Sequence, residues 1–443
     1  MAELTELGPV ERTEVGSYFV ANYPPFSVWT AAALDDARRA LSSRPADVPL
    51  GLYLHIPFCR KRCHFCYFRV YTDKNARQVE QYLTLLAREW EIYLENEAVR
   101  GRALDFVYFG GGTPSFLSTS QLQRLVRRLT SSSGWSRASE ITFECEPGTL
   151  TEPKLAAIRN FGVTRLSLGV ENFDDHILEV NGRAHRSPEI HRVFRNARQL
   201  GFPQINIDLI AGMIGETDAN WRACIDRTLE LSPDSVTIYQ MELPYNTTIS
   251  RNLLQGMAGE LGGPIADWAQ KRQWVAQAFE TLEAAGYHIG SAYTAVKDPG
   301  VSTFVYRDRL WEGADLVGLG VASFGHVNGV HMQNLDTWER YSAAIEEDDL
   351  PLGRAYRPTT EERFIREFVL QIKRGALAPA YFVDKYGVDP IERFRTELTS
   401  LRAEGFVGEL SSDRIALAPA GLLRVDSLLQ RFFLPQHTGI RYT

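Results

Sequence analysis

Cysteine is scarce in this chain. There are five in 443 residues, an odd number with three of them clustered, which is not the pattern of a secreted scaffold stapled by disulfides. Long apolar runs are missing too: none approaches the roughly 18 residues that cross a bilayer. The opening stretch MAELTELGPVERTEVG is acidic and has no apolar signal segment. Positive charge is in deficit, with a formal net charge of −7, whereas a general nucleic-acid binder is usually basic. There is no low-complexity tract, and no repeat beyond an alternation of strands and helices. These absences predict a cytoplasmic protein that engages neither membrane nor nucleic acid.

What is present is a sizeable apolar complement, 44% of residues, in a chain long enough for two or three domains. Six short apolar runs read as strands: 51–56, 104–109, 140–145, 164–170, 204–210 and 235–241. Helical patterns lie among and after them at 79–94, 187–201, 218–233 and 268–286, the second opening on Ser-Pro-Glu and closing on Gly. Strands alternating with helices predict a parallel α/β architecture, here an open or partial barrel of about six strand–helix units. The polar signatures PFCRKRC, GGGTP, ECEP, GVENF, AGM and MELP each follow a strand, on the face where parallel barrels build their sites. We expect an N-terminal extension over 1–48, the barrel over 49–290, a flanking segment over 291–355 and a mostly helical, winged-helix-like module over 356–443. The aromatic stretch 23–29 either covers the barrel mouth or packs outside it. Arg307 and Arg309 either meet an acidic group of a substrate or are solvated.

The informative segment is HIPFCRKRCHFCYF, residues 55–68, which holds Cys59, Cys63 and Cys66. Thiolates are soft ligands for zinc, copper(I) or iron–sulfur clusters. A closed zinc site needs four ligands, and His55 and His64 are the local candidates to complete one. Alternatively, three thiolates hold a four-iron cluster and leave one iron open, as a reactive centre requires. Phe65 would then lie beside the cluster, with the basic residues 60–62 either offsetting its charge or simply solvated. Chance proximity of the three is the remaining alternative.

This cysteine spacing, followed by YFGGGTP, resembles the radical S-adenosylmethionine (SAM) superfamily. The blocks LYLHIPFC, VYFGGGTPSFL, FECEPGTL, RLSLGVENF, NIDLIAGM and VGLGVASFG are similar, in order, to the oxygen-independent coproporphyrinogen III dehydrogenase family. The resemblance implies a [4Fe-4S] cluster on Cys59, Cys63 and Cys66 and a SAM molecule on its open iron, cleaved to a 5′-deoxyadenosyl radical. It places Tyr53 beside that SAM, Gly110, Gly111, Gly112 and Thr113 along its methionine end, and Glu144, Glu171, Arg183 and Asp208 as polar contacts. Glu171 departs from the family's usual glutamine. A second SAM is implied, touching Ile210, Ala211 and Tyr239, with Glu312 a looser candidate.

One departure decides the expected branch. The family's decarboxylases carry a further cysteine two residues after the third, and this chain has Phe68 there. We therefore expect the related branch that transfers a methyl or methylene group from a second SAM to an sp² carbon of an unsaturated natural product, by methylation or cyclopropanation. The alternatives are decarboxylation of coproporphyrinogen III, a tetrapyrrole, and a haem-binding chaperone with His326 or His331 as axial ligand. Expected partners are an electron donor such as flavodoxin or ferredoxin and, on the first reading, a partner methyltransferase.

Overall fold

The computed structural model describes residues 15–442. Residues 1–14, most of the acidic opening stretch, lie outside the described residues. Six parallel strands form where the apolar runs predict them: β1 (Leu50–Ile56), β2 (Leu104–Gly111), β3 (Glu140–Cys145), β4 (Arg165–Glu171), β5 (Gln204–Ala211) and β6 (Ser235–Gln240). They pair in chain order. Both edges of this array are extended by residues beyond 287. β7 (His288–Ile289) and β8 (Thr294–Val296) add antiparallel strands beside β6. β9 (Asp315–Leu319) returns to pair parallel with the free edge of β1, and β10 (Phe324–Val327), β11 (Val330–Asn334) and β12 (Leu352–Tyr356) continue antiparallel.

Side chains alternate across each strand. One set, including Leu52, Leu54, Val107, Phe109, Phe143, Leu166, Leu168 and Ile207, is buried against the surrounding helices, each contributing roughly 1.5–3 kcal/mol. The other set faces the barrel interior and is unusually polar: Glu144, Arg165, Ser167, Asp208 and Thr237. The helices begin where side chains satisfy their free N–H groups. Asn75 and Gln78 form a capping box on Ala76–Glu95, and Ser118 and Gln121 form another on Thr119–Ser132.

The C-terminal region has its own core, in which Phe364, Phe368, Phe382, Phe394 and Phe432 meet. Helices Thr360–Gln371, Pro379–Tyr386 and Arg395–Ala403 surround it. A small antiparallel sheet joins them, made of β13 (Ala376–Leu377), β14 (Val407–Leu410) and β15 (Ile415–Leu417). Val20 and Tyr23 from the N-terminal segment complete this core. Stretch 23–29 therefore packs outside the barrel mouth: Phe26 lies against Phe324 and Tyr442, and Trp29 stacks on His331. Among the described residues no helix is long and apolar enough to cross a membrane.

Candidate active site

A cavity of about 1050 Å³ opens at the carboxyl ends of β1–β6. Its rim carries the cysteine loop. That loop is held by backbone bonds from Cys59 N–H to Tyr71 O, 3.1 Å, and from Tyr71 N–H to Pro57 O, 2.7 Å. Cys59, Cys63 and Cys66 are free thiols that all line the cavity. Thr113 Oγ1 donates to Cys59 Sγ and Arg183 Nη1 to Cys63 Sγ, each at 3.3 Å. Burial pushes the Cys59 thiol up to about 12 and the Cys66 thiol to about 11. A metal would displace these protons on binding.

The zinc alternative finds no compact donor set. His64 bonds Val180 O through Nδ1 at 2.9 Å, which leaves its Nε2 available, and buried His55 lies directly under Gly111. Among the described residues no three His, Cys, Asp or Glu side chains gather tightly enough for a single ion. Three thiols spread along one loop suit a cluster instead, whose separate irons take one thiolate each.

The glycine turn after β2 is pinned to the start of this loop. Gly112 N–H donates to Ile56 O and Thr113 N–H to Phe58 O, both at 2.9 Å. Gly111 has φ +107°, and a Cβ there would sit 2.5 Å from His55 Nδ1; one on Gly112 would meet Ile56 O at 2.9 Å. Only glycine permits this approach.

Carboxylates converge from the neighbouring strand ends. Glu144 accepts from Tyr108 Oη at 2.6 Å and from Gly111 N–H at 3.2 Å, and burial pushes it up to about 7. Glu171 has φ 63° beside a register shift between β4 and β5. This left-handed conformation is disfavoured for a residue with a side chain. It places Glu171 on the cavity wall, 3.5 Å from Arg183, and burial pushes it up to about 7 in spite of that arginine. Arg183 also donates to Gly169 O at 2.7 Å. Asp208 accepts from Ser167 Oγ at 2.8 Å and from Asn206 Nδ2 at 2.9 Å, and burial raises it. Phe65, Ile210 and Tyr239 complete this wall.

Four expected contacts are not on the cavity surface. Tyr53 lies behind it, its ring 5.8 Å from that of Tyr108. Gly110 lies under Tyr108 and Glu144, whose atoms a Cβ would meet at 2.8 and 3.0 Å. Ala211 is fully buried, its carbonyl accepting from Met241 N–H at 2.9 Å. Glu312 pairs with Arg374 at 2.9 Å, away from the lining. Arg307 and Arg309 pair with Asp308 and Asp105. His326 and His331 form a pair, Nδ1 to Nδ1 at 2.9 Å, exposed by only 7% and 0%, and His331 Nε2 is bonded to Tyr23 O at 3.2 Å, so His331 has no ring nitrogen left for haem.

Several lining residues went unread in the sequence: Tyr108, Glu146, Arg165, Asp426 and the segment 15–19. Burial pushes Glu146 up, but His185 and Arg60 beside it hold it down at about 2. For Tyr108 and Arg165 a signal existed, because period-two alternation puts them on the same strand faces as Gly110 and Glu171.

A radical SAM superfamily model matches residues 53–227. The heme chaperone HemW of Bacillus subtilis is 30% identical over 360 residues, spanning 80% of this chain and 92% of that protein. The oxygen-independent coproporphyrinogen III oxidase of Pseudomonas aeruginosa is 28% identical over 428 residues, spanning 92% of this chain and 91% of that protein. The solved structure of coproporphyrinogen III oxidase (HemN) from Escherichia coli superposes with a TM-score of 0.80 at 23% identity, covering 93% of this chain and 96% of that one.

These findings overturn the expectation of methyl or methylene transfer to a natural product, and the partner methyltransferase falls with it. Relatives that span the chain are named for tetrapyrrole work. The expectation rested on Phe68, whose ring stacks on Tyr67 at 4.5 Å on the cavity lining. It alters the surface of the mouth and leaves the three-cysteine loop intact. Enzymes of the superfamily work with a [4Fe-4S] cluster and SAM, and the thiols, glycine turn and carboxylates described above fit both groups. The chain belongs to the radical SAM enzymes, in the family of the oxygen-independent coproporphyrinogen III oxidases and the heme chaperone HemW.

Proposed function

We propose that this protein oxidises a tetrapyrrole, removing propionate carboxyl groups from coproporphyrinogen III without oxygen. The cavity is the observation that supports it. Its polar floor holds titratable groups, and its lining includes Phe68, Tyr239 and Tyr245, which are 44%, 38% and 46% exposed. Such a site suits a ligand with apolar faces and charged edges. When bound, the cluster and SAM would supply a 5′-deoxyadenosyl radical to take one hydrogen atom from each propionate; the substrate radical would then lose CO₂ and pass one electron to an oxidised electron carrier, leaving a vinyl group. Cys59, Cys63 and Cys66 hold the cluster by three irons. Thr113 and Arg183 donate hydrogen bonds to its sulfur ligands. Glu144 and Asp208 suit the ribose hydroxyls and the ammonium group of SAM, and Arg183 suits its carboxylate. Ile210 and Tyr239 form the wall for a second SAM. A flavodoxin or ferredoxin supplies electrons to the cluster. The 356–443 module serves as a scaffold for the mouth, through Asp426 and its neighbours.

Anaerobic turnover of the reconstituted protein with dithionite, SAM and coproporphyrinogen III tests this reading. CO₂ and 5′-deoxyadenosine are expected together, one for one, because each carboxyl lost follows one hydrogen abstraction. Formation of 5′-deoxyadenosine with no CO₂ would refute it. A second reading, haem carriage without turnover, is favoured by the similarity to HemW and by Phe68, where the family's decarboxylases have cysteine. A saturable Soret shift on haem titration, without CO₂ from coproporphyrinogen, would select it.

A further inference from the structure

Arg165 opens β4, and strand alternation points it into the barrel with Ser167, Gly169 and Glu171. It lines the floor of the cavity yet is only 2% exposed. A guanidinium has five N–H donors and does not shed its proton. Here Nη1 reaches Ser167 Oγ at a long 3.5 Å and Nε has no partner. Among the described residues it makes no ion pair. Glu140, Glu144 and Asp208 face it across the interior and feel its charge, but none closes on it. Phe304 holds the guanidinium, its ring centroid 4.0 Å from Cζ; that ring also lines the cavity. The cation is thus fixed in place with donor capacity to spare: Nε has no partner and the Nη1 contact is long.

Three other buried cations are satisfied. Arg366 donates to Asn22 Oδ1 at 2.6 Å and Leu310 O at 3.2 Å. Lys373 donates to Val20 O at 2.6 Å and Asp426 at 2.8 Å. Lys154 donates to Ser115 O at 2.7 Å and Thr149 O at 2.8 Å. Burying a charge without partners is strongly unfavourable. Arg165 differs from these three: it is under-bonded, and it meets the ligand cavity at its floor.

We propose that Arg165 is the carboxylate receptor of this cavity: a ligand carboxylate that reaches the barrel floor accepts from the guanidinium and completes its hydrogen bonding. Two sources have this chemistry, a propionate of the tetrapyrrole and the carboxylate of SAM. The first rests on the function proposed above; the second does not.

The test is direct binding. Coproporphyrin III and its tetramethyl ester are titrated by fluorescence quenching, and SAM by equilibrium dialysis, into the reconstituted wild type, Arg165→Gln and Arg165→Lys. Melting curves confirm that each variant is folded. If a propionate is the partner, Arg165→Gln weakens coproporphyrin III by roughly tenfold to a hundredfold. Arg165→Lys recovers part of that loss, and the ester binds all three proteins alike. If SAM affinity falls instead and the porphyrin is unaffected, the receptor stands and the carboxylate is that of SAM. If the wild type binds no porphyrin, the tetrapyrrole reading fails and the SAM arm alone decides. Unchanged affinities for every ligand in folded variants would overturn the proposal.

Discussion

Glu89 and Glu144 are both carboxylates that burial pushes up to about 7, yet they belong to different regions with different demands. Glu89 lies behind the sheet, where Tyr341 Oη, Gly320 N–H and Asn334 Nδ2 donate to it at 2.6, 2.8 and 2.6 Å. Its acceptor capacity is met and it is not among the residues lining the site cavity. Glu144 accepts two protein donors and faces the cavity. A raised pKa reports burial in both cases. What separates a site from a structural knot is remaining bonding capacity turned toward open space. The same contrast divides the cysteine loop, with three free thiols on a cavity, from the His326–His331 pair, whose rings bond to each other.

The comparison can be broken from either side. The largest effect is expected from replacing Cys59, Cys63 and Cys66 together by Ala: iron and sulfide content falls to background and SAM cleavage ceases. A triple variant that still binds four irons would remove the cavity from consideration. Next, Glu144→Ala lowers SAM affinity on the order of tenfold to a hundredfold, the worth of one or two hydrogen bonds to a charged group, with the melting temperature nearly unchanged; equilibrium dialysis and calorimetry read the two effects. Glu89→Ala does the reverse. It leaves three buried donors without an acceptor and costs about 3 kcal/mol of stability, measured by urea unfolding, while SAM affinity per folded molecule is retained.

A subtler distinction lies in pH. The folded state holds the Glu89 proton up to about 7, against 4.5 for the free side chain. Between those values the folded state binds more protons than the unfolded chain, so this group's contribution is full below 4.5 and is lost as pH rises to about 7. Glu89→Gln removes the slope, and the wild type loses on the order of 3 kcal/mol across that window relative to the variant. Unfolding free energies that track each other from pH 4.5 to 7.5 would show that Glu89 is not the group responsible. The smallest expected effect is on haem: His331→Ala gives up the stack on Trp29, 5.0 Å and nearly parallel, and leaves the spectrum of added haem unchanged. An altered Soret band would place haem at that pair.

The barrel was legible in the sequence because its strands are buried on the helix side and announce themselves as apolar runs; the 140–145 run coincides with β3. The cysteine loop and glycine turn were legible because both are local. The sheet extensions were not. β9 pairs with β1 across most of the chain, and β10 and β11 carry His326, His331 and Gln333, whose polarity hides a strand. Arg165 and Tyr108 were missed although strand alternation put them on the cavity face, because what each does there is set by its neighbours in space. Phe68 misled in another way: a single substitution at the mouth was read as a sign of methyl transfer, which the relatives that span the chain do not support.

The return of β9 to β1 has a consequence for how the protein is made. β1 emerges early, but its second neighbour is residues 315–319. At roughly 5–20 residues per second the ribosome leaves that edge open for on the order of tens of seconds. An unpaired strand edge is a template for another chain. Nascent chains stalled or truncated before β9 should therefore pair with one another, and slower elongation should raise the aggregated fraction even though the finished molecule keeps that edge covered.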